Sequence, residues 1–187
     1  LRSHPMHSTT LPSSSSTGFA YSRADFQQLV DDALKFAASL GATDAGAEVS
    51  EGVGLSVSVR KGEIENVERN RDKSIGVSVY MGQRRGNAST SDFSRAALEQ
   101  TVRAAHDIAR FTAEDPAAGL PDADDLAFGD AASLDLDLFH PWTIDAEGAA
   151  EIARRCEQAA LTVDKRITNS EGAGVSAQQS HFFAGNS

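Results

Sequence analysis

The 187-residue sequence predicts an α+β fold: an antiparallel β-meander with helices packed on one face, followed by the start of a second α+β domain. Three observations lead there. Apolar and polar residues alternate along Ala47–Arg60, the period of a half-buried strand. Further alternating runs follow it, separated by tight turn signals. Segments of helical period stand before and after these runs, and the order helix, meander, helix suits one sheet with helices on one side.

Ser22–Leu40 reads as the first helix. Ser22 and Asp25 have capping-box spacing, and Phe26, Leu29, Val30, Ala33, Leu34 and Ala37 share one face. Gly41 supplies the stop. In the first strand Val49, Val53, Leu55, Val57 and Val59 take the odd positions, with polar residues between them. Lys61-Gly62 turns the chain back. Ile64 and Val67 differ in parity, which predicts a bulge near Glu65 or Asn66. A third strand carries Ile75, Val77, Val79 and Met81, and a turn over Gly82–Arg85 leads to a short fourth strand, Gly86–Thr90. Ser94 caps a second helix through about Phe111, with Leu98, Val102, Ala105, Ile108 and Ala109 as its buried stripe.

Between Phe111 and Ala153 there is no Lys or Arg, against eleven Asp or Glu, and Pro116, Pro121 and Pro141 interrupt the segment. Residues 112–141 therefore read as an acidic linker between an N-terminal domain, 22–111, and a truncated central domain, 142–187. A third helix after Asp145 has Ala149, Ile152, Ala153, Cys156, Ala159 and Ala160 on its apolar face. Asp164–Phe183 reads as a hairpin turning near Asn169–Gly174. Residues 1–21 are rich in Ser, Thr and Pro and predict a disordered tail, with Met6 a candidate start preceded by extraneous residues. Ending on an apolar run, SHFFAGNS, the sequence reads as the front of a longer protein.

A net charge of −10 argues against nucleic acid or an anionic membrane as the main partner, since both reward basic patches. No apolar run approaches the roughly 18 residues of a membrane helix, and no signal-peptide core is present. The single cysteine, Cys156, excludes an internal disulfide and fits the cytoplasm.

No catalytic constellation is visible. The five histidines, His4, His7, His106, His140 and His181, show no metal-ligand spacing, and HExxH is absent. Cys156, on an apolar helix face, has no base in view. No catalytic or metal residue is assigned. The most site-like segment is Gly86–Asp92, where small residues permit a close backbone approach and hydroxyls can satisfy an added strand. Gly86, Asn87, Ser89, Thr90 and Ser91 are thus candidate peptide- or partner-facing residues. Ser91, Asp92 and Ser94 also serve simply to start the following helix.

The runs GLSVSVRKGEIENVE, GVSVY, RRGNASTSDFS, AAHDIARFTAEDPAAGLPD, LDLDLFHPW and DKRITNSEG resemble the TldD/PmbA family, also called modulators of DNA gyrase, in its PmbA (TldE) branch. The resemblance covers about Ser22–Ser187. It implies the first domain and part of the second of a longer subunit. It further implies a TldD/TldE heterodimer that degrades or trims flexible peptides. The zinc is expected in the TldD-like partner, and no cofactor in this chain. The resemblance leaves two alternatives: a metal-bearing TldD-type protease whose motif lies beyond Ser187, or a nonproteolytic regulator of DNA gyrase.

Overall fold

A computed structural model describes residues 18–125 and 136–187. Helix α1 (Arg23–Ser39) leads into strands β1 (Asp44–Arg60), β2 (Glu63–Met81) and β3 (Arg84–Thr90). Helix α2 (Arg95–Phe111), a 3-10 turn at Ala123–Asp125, helix α3 (Ala146–Thr162) and strand β4 (Ala173–Asn186) follow. The four strands form one antiparallel sheet in the order β3-β2-β1-β4. The α+β architecture with an antiparallel sheet is as the sequence predicts.

Alternation decides which face is covered. In β1 the odd residues Ala45, Ala47, Val49, Leu55, Val57 and Val59 are buried on one face. Helices α1 and α2 cover the first half of that face: Phe26, Val30, Ala33 and Ala37 of α1 and Leu98, Val102, Ala105 and Ala109 of α2 meet Ala45–Val49 and Ile75–Val79. Helix α3 covers the second half, setting Ala149, Ala150 and Ala153 on Leu55, Val57 and Val59. Burying each such Val or Phe removes it from water at a gain of roughly 1.5–3 kcal/mol, so these rows hold the helices down. The opposite face is largely bare, as one-sided antiparallel sheets permit.

The local signals behave as their chemistry requires. Ser22 accepts from the N–H of Asp25 while Asp25 accepts from the N–H of Ser22, closing the capping box. Gly41 ends the α1 turn at φ 87°, a region that disfavours a Cβ. The bulge falls where parity predicts it: Ser58 faces Asn66 but Val59 faces Ile64, leaving Glu65 extra.

Five expectations are corrected. The first strand starts at Asp44, three residues early, because Ala45 continues its buried row. The second and third strands are one 19-residue strand, β2. Residues 63–72 are exposed on both faces, so no apolar alternation announced them, yet the length of β1 pairs them throughout. The Asp164–Phe183 hairpin does not form. Residues 163–172 are irregular, and β4 instead pairs with β1 from Val59↔Ala173 to Gly46↔Asn186. The open second edge of β1 takes it, with Ala173 and Val175 tucked under α3. The face of α3 is also turned: Ala149, Ala150, Ala153 and Glu157 are buried while Cys156 is exposed. Within the predicted tail Phe19 is buried and Tyr21 joins the core, so these two residues do not belong to it; residues 1–17 lie outside the described residues.

The first part of the acidic segment lies against the sheet. The N–H of Asp115 donates to the carbonyl of Gln83, Glu114 pairs with Arg84 at 3.3 Å, and Leu120 reaches the bare face beside Gly46.

Candidate functional site

The bare face is built from the even positions of β1 and their partners. One cross-strand row runs Asn87, Ser78, Gly46, Asn186, and the next runs Ser89, Gly76, Glu48, Ala184. Residues of this size leave a shallow groove of about 800 Å³, walled on one side by Leu120 and floored partly by the buried Tyr80. Asn87 is held in place, its carboxamide oxygen accepting from Ser78 Oγ at 2.7 Å and Arg85 Nε at 3.0 Å. Phe182, 69% exposed, projects from β4 on the same side as Ser50.

The five residues singled out in the sequence separate into three settings. Asn87 and Ser89 lie on the bare face, in the groove. Gly86 is buried on the other face, where a Cβ would collide with the carbonyl of Ala105 and approach Ala109 N to 2.5 Å. Its smallness lets α2 rest on β3, not a ligand. Thr90 and Ser91 belong to the helix entry: Thr90 Oγ1 accepts from the N–H of Asp92, whose carboxylate accepts from the N–H of Ser94. That last bond, first among its causes, holds the Asp92 carboxyl below the usual carboxylate range. Ser94 Oγ then accepts from the N–H of Ala97.

Sequence reasoning missed the two most constrained carboxylates. Glu51 occupies an inward position of β1, between the α1/α2 cluster and the α3 cluster, and is 1% exposed. Both its oxygens lie 3.0 Å from the N–H of Ala20, and Oε2 accepts from the N–H of Tyr21 at 3.1 Å. Arg71 on β2 donates to Oε1 at 3.1 Å and to the Gly18 carbonyl at 2.8 Å. His181, directly opposite on β4, places Nε2 3.4 Å from Oε2 while stacking with Phe19 and Phe26. Burial pushes the Glu51 carboxyl up, but the two backbone donors, His181 and Arg71 outweigh it and hold it below the ordinary glutamate value. The cluster is an anchor for residues 18–21. Its signal was available: a glutamate in the odd series between Val49 and Val53.

Glu157 does the same for the β1–β2 turn. Its two oxygens accept from the N–H groups of Lys61 and Gly62, each at 2.8 Å, and Arg154 Nε donates to the Gly62 carbonyl at 2.9 Å. Those backbone bonds keep the Glu157 carboxyl below its usual value. This explains why α3 turns Glu157 inward and Cys156 outward.

The other histidines stay apart. His106 sits beside Asp107 at 3.4 Å and His140 is 3.9 Å from Asp137, while His4 and His7 lie outside the described residues. Among the described residues no group of three or more His, Cys, Asp or Glu side chains converges as a metal site. The His–carboxylate pair of His181 and the buried Glu51 has a guanidinium and two backbone N–H groups where further ligands would stand. These residues do not fit a catalytic zinc, which takes three protein ligands and an open position. Among the described residues no helix is long and apolar enough to cross a membrane.

The described residues form a one-sided antiparallel α+β sheet domain with a bare small-residue face. Residues 46–109 match the PmbA/TldA metallopeptidase domain 1 and residues 139–187 match the PmbA/TldA metallopeptidase central domain, so the chain belongs to the PmbA/TldA metallopeptidase family. It is 48% identical over 167 residues to Metalloprotease PmbA of Escherichia coli O157:H7, covering 88% of this chain and 36% of that protein. It is 47% identical over 165 residues to the Metalloprotease PmbA homolog of Haemophilus influenzae, covering 86% and 36%. The chain thus spans about a third of the length of these relatives. The fold recurs in a candidate modulator of DNA gyrase from Bacteroides thetaiotaomicron, with TM-score 0.64, 21% identity and coverage of 86% and 36%. It recurs also in TldE from Thermococcus kodakarensis, with TM-score 0.57, 15% identity and coverage of 86% and 34%.

Proposed function

We propose that this chain is the N-terminal part of a TldE-like, noncatalytic subunit of a cytoplasmic two-subunit metallopeptidase. In this reading a TldD-like partner carries the zinc, and flexible peptides are the substrates. The observation that carries it is the 48% identity to Metalloprotease PmbA along most of the chain. The bare face of the sheet, with Asn87 and Ser89 in its groove, is the peptide- or partner-facing surface. Gly86, Thr90 and Ser91 support it from behind and from the adjoining turn.

The test is peptide cleavage by the full-length protein, with and without the TldD-like subunit and with and without a chelator. Chelator-sensitive cleavage only when both subunits are present is the expected result. Chelator-sensitive cleavage by the protein alone would place catalysis in its own remaining sequence and overturn the noncatalytic assignment. Recovery of gyrase, and no TldD-like protein, as the bound partner would favour regulation over proteolysis.

A further inference from the structure

Strand β3 pairs only with Ile75–Met81 of β2, so Glu63–Ser74 has no neighbour on its outer edge among the described residues. This stretch is as long as many whole strands, and no described strand pairs with its outward backbone groups. Its charges are sorted by face. Arg69, Arg71 and Lys73 lie on the helix-covered side, opposite Leu55, Val53 and Glu51. Glu68, Asn70 and Asp72 lie on the bare side, opposite Ser56, Gly54 and Gly52.

Charged residues on an edge ordinarily block pairing. Here their sorting makes the block selective. A second copy pairing antiparallel at this edge would set cations against cations on one side and carboxylates against carboxylates on the other, which is repulsive. A strand with acidic residues on the helix side and basic residues on the bare side would meet opposite charge at Arg69, Arg71 and Lys73 on one side and at Glu68 and Asp72 on the other. Two of the cations are already fixed in place. Arg71 is tied to Glu51 and to the Gly18 carbonyl, and Lys73 bonds Tyr21 Oη at 2.7 Å while lying over the Tyr21 and Phe93 rings. Arg69 and Glu68 are exposed and carry the readable pattern at the rim.

We propose that the Glu63–Ser74 edge of β2 is a docking site for an extended polypeptide strand of alternating acidic and basic residues, added beside β2 in continuation of β3. The inference rests on sheet geometry and charge and is independent of the peptidase reading.

The test uses the full-length protein and two labelled peptides of equal composition and zero net charge, (Glu-Lys)4 and (Glu-Glu-Lys-Lys)2. Fluorescence anisotropy should show the alternating peptide binding at least about tenfold more tightly, since only it presents one sign per face. N-methylation of alternate backbone amides should abolish that preference. Arg69→Glu, at an exposed position, should reduce it about tenfold without changing the melting temperature. Amide exchange of residues 63–74 should slow on binding. Equal affinity for both peptides, or no effect of N-methylation, overturns the proposal. So does an edge already protected in the free chain by its own residues, or sealed by dimerisation.

Discussion

Replacing Glu51 by Gln tests the anchor of residues 18–21 without changing side-chain volume. The carboxylate accepts two backbone N–H groups, from Ala20 and Tyr21, at 3.0–3.1 Å in a site 1% exposed. Hydrogen bonds to a charged group contribute about 1.5–3 kcal/mol each and neutral ones about 1, and an orphaned buried donor costs about 1–3. The amide keeps one acceptor and turns two N–H groups toward donors. A loss on the order of 2–4 kcal/mol follows, with Arg71 adding little because it is half exposed to water. For a chain of this size that is a fall of roughly 5–15 °C in melting temperature. The sign with pH is fixed by the lowered Glu51 value. A carboxyl depressed on folding stabilises above its unfolded pKa of about 4.5, and that contribution disappears as pH falls through the folded value. The gap between parent and variant should therefore be full at neutral pH and close in acid. Thermal melts by circular dichroism from pH 3 to 7, with amide exchange at Ala20 and Tyr21, measure both effects. A neutral-pH difference below about 0.5 kcal/mol, typical of a surface substitution, would refute the anchor.

Gly86→Ala should destabilise by about 1–3 kcal/mol, because the new Cβ must displace α2 backbone at Ala105 and Ala109 and no side chain can yield; chemical denaturation reads it. Glu157→Gln should raise the amide exchange rates of Lys61 and Gly62 while leaving those of the α1 core unchanged, since its two bonds reach only the turn. Ser89→Arg, exposed on the bare face, should leave the melting temperature within a degree or so yet reduce co-purification with the TldD-like subunit or peptide capture. Unchanged capture would remove that face from the proposed function.

What the sequence made legible was whatever alternates or caps locally. The buried faces of α1 and most of α2, the Ser22 capping box and the bulge at Glu65 all follow from neighbours within a few residues. Ile108 is the exception in α2, left 47% exposed while Thr101 takes an inward place and bonds the carbonyl of Ala97. The misses share a different cause. β4 finds its partner 114 residues or more away, at Val59↔Ala173 and beyond, and nothing inside Ala173–Asn186 distinguishes that edge from a hairpin partner. Glu51 and Glu157 look like solvated charges until distant backbone N–H groups close on them. Apolar periodicity also misjudged α3, where six alanines offered two alternative faces and the turn at Lys61-Gly62 chose the one bearing Glu157.

The two buried carboxylates also explain why a sheet covered on one side can present its other side as a ready surface. Glu51 fixes the segment before α1 at the middle of β1, and Glu157 fixes the far turn, so the sheet is braced from its helix side at both places. Neither brace puts a side chain on the bare face. Gly46, Gly52, Gly54 and Gly76 keep that face low, and Leu120 already rests beside Gly46. A partner backbone can approach such a surface closely without reorganising it, and a preformed surface spares the ordering cost that weakens association. In the proposed reading, stability and recognition use opposite faces of the same strands. Substitutions at odd positions of β1 should therefore register in melting temperature, and substitutions at even positions in partner or peptide capture.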